Sequence, residues 1–174
     1  MRDLIDLVEE ANVLGNLSGY TVAVTLAHRD LPRDFSLSWL ARYYQSFEDS
    51  GVKHWEAAFI EAIQPKVDEA IEVLGAWVAN PTPLMRGLRE APKANHPLGI
   101  HWTDKRITAQ DYGNGKFLLT ANVRPDQIDW AYTLTRRIAW PKENEFSLKP
   151  GARLQGTIEG GNSSKPLGTF EGTV

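Results

Sequence analysis

Bulky and small side chains alternate most clearly from Ile128 to Trp140. Ile128, Trp130, Tyr132, Leu134, Ile138 and Trp140 fall on even positions, and Asp129, Ala131, Thr133, Thr135 and Ala139 on odd ones. A period of two is the signature of a strand with one dry face. The pattern predicts a long central β-strand, an antiparallel sheet built around it from the second half of the chain, and helices of the first half covering its bulky face.

The first half reads as mostly helical. Leu4, Ile5, Leu7, Val8, Ala11 and Leu14 make one helical stripe over residues 3–14, ended by Gly15-Asn16. Tyr20 to His28 alternates and predicts a strand that joins the later sheet, followed by a turn at Asp30–Asp34. Asp34 or Ser36 can cap a helix carrying Leu37, Leu40, Tyr43, Tyr44 and Phe47. A second run from Val52 to Val78 holds Trp55, Phe59, Ile63, Val67, Ile71, Leu74 and Val78 at helical spacing, with Pro65 inside it. Proline removes a backbone donor, so this run predicts either a kink or two helices.

Four prolines (Pro81, Pro83, Pro92, Pro97) between Asn80 and Gly99 argue for a connector with one short helix near Leu84 to Arg89, and against a central strand. Strand signals then follow quickly: Ile100 to Gln110; a tight hairpin turn at Tyr112-Gly-Asn-Gly; Lys116 to Arg124; a turn at Pro125-Asp126; the central run; Phe146 to Lys149; a turn at Pro150-Gly151; Arg153 to Glu159; and Leu167 to Val174. Glycines inside the last strands, in the echoing pieces Leu154-Gln-Gly and Leu167-Gly-Thr-Phe-Glu-Gly, mark bends or close backbone approach and predict a curved, barrel-like end. The expected fold is α+β: N-terminal helices on one face of a curved antiparallel meander of six to seven strands. A single domain over 1–174 is expected, helical over about 1–94 and β-rich over about 100–174, with 80–99 the boundary if there are two units.

Composition narrows the chemistry. The net charge is −3, split as 9 Lys+Arg against 14 Asp+Glu in residues 1–94 and 10 against 8 in residues 95–174, so only the sheet half could offer a basic surface. That excess is small beside the footprint of a duplex-binding domain. There is no cysteine, which removes thiol catalysis, disulfides and thiolate metal sites. The first residues carry acids throughout their apolar pattern, unlike a signal peptide, and no window has the length of a membrane span. A soluble cytoplasmic protein is the expectation.

Arg136 and Arg137 point to opposite faces in the expected strand, so one aims at the bulky side. Arg136 could snorkel past the core's edge, anchor an anionic ligand inside a pocket, or pair with a helix carboxylate. The candidate ligand site is Arg136 with Trp130, Tyr132, Trp102 and His101, with any indole that stays exposed a stacking platform. His28, His54, His96 and His101 lack zinc-protease spacing, and no metal or cofactor is expected. Neither Gly113-Asn-Gly nor Gly160-Gly-Asn-Ser-Ser precedes a predicted helix, so neither suits a phosphate loop.

Abundant aromatic area without a convergent titratable cluster suggests a non-catalytic binding or assembly protein, engaging a macromolecular partner or a small apolar or anionic ligand. The aromatic helix at 36–48 suggests self-association or a protein partner. Two alternatives stand beside it. One is a small enzyme with an acid–base pair of His101 or His28 with Asp104 or Asp111; the other is a single-stranded nucleic-acid binder using Lys105, Arg106, Arg124 and Arg137.

Overall fold

A computed structural model describes residues 37–74, 81–93, 96–140 and 145–174. The predicted helix at 3–14, the strand at 20–28, the turn at 30–34 and His28 lie outside the described residues. Among the described residues the chain is α+β, with four α-helices and one six-stranded antiparallel sheet. The contacts divide it into two compact units, residues 1–80 with 130–139, and residues 81–129 with 140–174. No helix among the described residues is long and apolar enough to cross a membrane.

The described part of the first unit is helical: α1 (Leu37–Glu48), α2 (Trp55–Leu74) and α4 (Trp130–Ala139), with α3 (Arg106–Tyr112) belonging to the second unit. Leu40 of α1 and Phe59, Ile63 and Val67 of α2 are buried, the i, i+4 stripe that the sequence predicts. Phe59 is the centre of a cluster of rings, with Tyr44 at 5.2 Å, Phe47 at 5.8 Å and Tyr43 at 5.9 Å between centroids. The Tyr44–Phe59 and Phe47–Phe59 pairs meet edge to face, the arrangement that the ring quadrupoles favour. Pro65 does not divide α2 into two helices. It lies on an exposed position, where the Glu61 carbonyl that loses its N–H donor can turn to water.

The predicted central strand is instead helix α4. Its large residues Trp130, Leu134 and Ile138 are four apart, so they satisfy a helical period as well as a period of two. Arg136 breaks the dry face of a strand but turns away from the Trp130–Leu134 line in a helix, and Asp129 directly precedes the first turn, as a capping residue does. The buried β-branched residues that argue for a strand are accommodated: Thr135 donates its hydroxyl to the Ala131 carbonyl at 2.8 Å.

The second unit holds the sheet, β1 (Thr82–Leu88), β2 (His101–Thr103), β3 (Phe117–Val123), β4 (Glu145–Ser147), β5 (Arg153–Gly160) and β6 (Pro166–Thr173), together with α3 (Arg106–Tyr112). The strand order β4-β2-β1-β3-β5-β6 has crossovers and is not a meander. The prolines of the connector do not keep it out of the sheet: β1 is an inner strand paired with β3 over seven positions. Because β2 has only three residues, the Pro83 end of β1 runs past it and has one free edge, where a missing N–H is tolerated. The predicted strand Ile100–Gln110 is divided into β2 and α3, whose Ile107 is exposed. The turn at Gly113-Asn-Gly therefore leads from a helix into β3, with the positive φ at Asn114 and Gly115 that its residues imply.

The sheet curls without closing into a barrel. Trp102 of β2 and Phe170 of β6 stack at 6.3 Å although three strands separate theirs, and the Leu98 amide donates to the Thr173 carbonyl at 2.8 Å. Glycines allow the close approach. A Cβ on Gly156 would strike the Thr120 carbonyl and the Phe170 ring, and one on Gly87 would strike the Ala109 carbonyl of α3.

Two outcomes test this description. Gly87→Ala has no room on the α3 side and should lower stability by about 1–3 kcal/mol in urea unfolding. Burial first, then Glu56 and Glu48, hold the Tyr44 phenol above its ordinary value near 10, with Arg136 opposing them. The neutral phenol is favoured in the folded state, so its stabilisation is complete below that ordinary value and falls as pH rises above it. Absorbance titration should show a late-ionising tyrosine that Tyr44→Phe removes.

Candidate functional site

The weakest junction in the sheet lies between β1 and β2. They share one paired position, Met85 with Thr103, against seven between β1 and β3. Arg86 fills the gap: its Nη1 donates to the backbone carbonyl of His101, joining the two strands through a side chain. The guanidinium lies over Gly99, whose φ of +80° and missing Cβ let it pack against the backbone.

This guanidinium is largely buried and sparsely used. Of the five N–H donors of an arginine, the bond to His101 is made, while Nε is buried with no hydrogen-bond partner among the described residues. Buried polar atoms are normally bonded, because losing water without a replacement costs about 1–3 kcal/mol. Burial holds the Arg86 guanidinium below the usual arginine range, and the charge of Glu145 pulls it back up.

On the other side of β2, strand β4 pairs Thr103 with Glu145, Trp102 with Phe146 and His101 with Ser147. Alternation then places His101, Thr103, Glu145 and Ser147 on one face. The imidazole Nδ1 of His101 meets a carboxylate oxygen of Glu145 across the diagonal of this ladder. The Glu145 side chain is 9% exposed and that of His101 38%, so the carboxylate is held inside while the ring reaches solvent. A carboxylate fixing one ring nitrogen sets the tautomer and orientation of the other, as in general acid–base pairs. A groove of about 210 Å³ follows the connector, lined by Leu88, Pro92, Lys93, His96, Pro97 and Leu98 among others; Arg86, His101 and Glu145 do not line it.

The predicted ligand set is divided between the units. His101 and Trp102 are on β2, where Trp102 is buried and His101 belongs to the pair just described. Arg136, Trp130 and Tyr132 are on α4, with Trp130 buried and Arg136 and Tyr132 half-buried. Among the described residues the exposed indole is Trp140, at 43%. The carboxylate against His101 is Glu145, while Asp104 and Asp111 occupy exposed positions. Among the proposed nucleic-acid contacts, Arg106 bonds Glu159 and Ser164 at 2.8 and 2.9 Å, and Arg124 bonds Asp126 through two donors at 3.0 Å. Those cations are committed to nearby groups; Lys105 is exposed, and Arg137 lies on α4 in the other unit.

Sequence reasoning singled out Arg136 and passed over Arg86 and Glu145. Arg86 sits between prolines in what reads as a connector, and Glu145 is 44 positions from His101, so no local spacing joins them. The available signal was a charged residue in an apolar run, Leu84-Met-Arg-Gly-Leu, followed by Glu145-Phe-Ser-Leu, which again places a charge among buried positions. No group of three or more His, Cys, Asp or Glu that could hold a metal occurs among the described residues. No protein-family model, curated protein or solved structure matches the chain.

Arg86→Met keeps the length and apolar volume but deletes the bond to the His101 carbonyl across the seam. Stability in urea should fall by about 1–3 kcal/mol, the cost of leaving a buried carbonyl without its partner. An unchanged midpoint would show that this bond does not hold the two strands together.

Proposed function

We propose that this protein is a group-transfer or hydrolytic enzyme acting on an anionic small molecule, with Arg86 binding the anion and the His101–Glu145 pair handling the proton. The observation that carries this reading is the largely buried Arg86 guanidinium with an unpartnered Nε, within electrostatic reach of a carboxylate already in contact with an imidazole. Guanidinium binds phosphate or carboxylate through paired donors and keeps its charge at any working pH. His101, anchored by Glu145 and open to solvent, is placed to take or give a proton.

The substrate class that suits all three groups is a phosphate-bearing glycoside such as a nucleotide. Arg86 would hold a phosphate oxygen. Glu145 would offset the positive charge that develops at the anomeric carbon as the glycosidic bond opens, a role that carboxylates play in sugar transfer. His101 would manage the proton of the departing or incoming group.

The test is a panel of nucleoside mono-, di- and triphosphates and nicotinamide dinucleotides, with base release followed by chromatography. Turnover of at least one member is expected. Glu145→Gln should lower kcat by about 10²–10⁴-fold, and Arg86→Lys should act chiefly on KM, since lysine lacks the paired donors. Saturable binding without turnover would return the protein to the non-catalytic class, as a binder of a small anionic ligand. Neither binding nor turnover across the panel would remove the proposal.

A further inference from the structure

We infer that Trp102 is a positioning residue for Arg86, acting through the carbonyl of Gly99; the inference rests on the anion-binding reading above. The indole Nε1 of Trp102 donates to the Gly99 carbonyl at 2.9 Å. Gly99 is the residue over which the Arg86 guanidinium lies, at a φ of +80°, and a Cβ there would stand among the guanidinium atoms. The backbone from 98 to 101 is held at each step. The Leu98 amide donates to Thr173, the Gly99 carbonyl accepts from the indole, the Ile100 carbonyl accepts from the Leu148 amide at 2.8 Å, and the His101 carbonyl accepts from Arg86 itself.

A left-handed glycine has two broad regions of backbone freedom, so its carbonyl needs an external bond to keep one orientation. The indole supplies it. Trp102 is 1% exposed, and its close-packed surroundings fix the ring and hence the direction of its N–H. With the Gly99 peptide held, one side of the guanidinium rests on backbone and Nη1 is committed to His101. Of the remaining groups, Nη2 lies nearest Gly99, and Nε is the buried donor left without a partner among the described residues. Such preorganisation keeps the cost of ordering a long side chain out of each binding event. The arrangement also accounts for a buried tryptophan whose N–H is spent on a loop carbonyl while its ring serves the core.

The experiment uses the full chain and inorganic phosphate as the probe, with binding followed by NMR at the Arg86 Nε–H, assigned through Arg86→Lys. Trp102→Phe keeps a ring in the core but deletes the donor. It should weaken phosphate binding by about fivefold or more, the equivalent of one hydrogen bond's contribution to placement, and broaden or shift the Arg86 Nε–H signal in the unliganded protein. Phe170→Leu disturbs the same core without touching the indole–Gly99 bond. It should lower the thermal midpoint yet leave phosphate affinity within about twofold. Gly99→Ala, which intrudes on the guanidinium, should weaken binding as Trp102→Phe does, and serves if Trp102→Phe does not fold. Unchanged affinity in Trp102→Phe, or in Gly99→Ala when that variant serves, would overturn the inference and leave the anion site standing. An equal loss in Phe170→Leu would reduce Trp102 to a core residue. No phosphate binding by the wild-type protein would remove the anion site and this inference together.

Discussion

One arginine bridging an imperfect seam is the constraint on which the sheet unit turns. Strands β1 and β2 meet at a single position, and the bond from the Arg86 guanidinium to the His101 carbonyl supplies a connection that backbone groups do not make there. A ladder made entirely of backbone would be sturdier, but it would leave no charged group at the seam. Placing a cation there accepts a desolvation cost and brings a guanidinium, an imidazole and a buried carboxylate onto three neighbouring strands, β1, β2 and β4.

The same unit shows how small residues fix what the large ones do. Gly87 admits α3 against β1, Gly156 admits the Thr120 carbonyl and the Phe170 ring, and Gly99 admits the guanidinium. Around the end of α3, Gln110 donates to the Gly161 carbonyl, the Asn162 amide to Gly115 at 3.0 Å and Arg106 to Glu159, so the loop at 160–164 is tied to the helix and the following turn. The glycine-rich segment that reads as an open loop is thus a brace for β3 and β5. Its backbone amides from Gly160 to Ser164 all donate within the protein.

Much of this was legible in the sequence, and the failures have specific causes. The α+β class, the helices around Tyr43 and Phe59, strands β3, β5 and β6 and the turns at Asn114-Gly115 and Pro150-Gly151 follow from period, turn chemistry and proline placement. The run from Ile128 to Trp140 misled because residues spaced by four satisfy both periods, and its aromatic and β-branched content tilts the choice to strand. The connector misled because proline was weighed as though every strand position had two neighbours, whereas Pro83 lies where β1 outruns a three-residue partner. The site itself was only partly visible. His101 was a candidate, but its carboxylate comes from a distant strand and its cation from the supposed connector; pairing between separated strands leaves no local trace.

The crossover topology also orders events in time. During synthesis, Arg86 and His101 emerge well before Glu145, and α4, which belongs to the helical unit, intervenes before β4 can dock on β2. The backbone around Gly99 gains its last tether only with Thr173, near the far end of the chain. Contacts of such sequence separation form late, because the chain must close a long loop before they return any free energy. A growing polypeptide therefore carries the cation and the imidazole before it carries the carboxylate or the Thr173 clamp, so the three charged groups come together only once β4 has been made and has docked on β2.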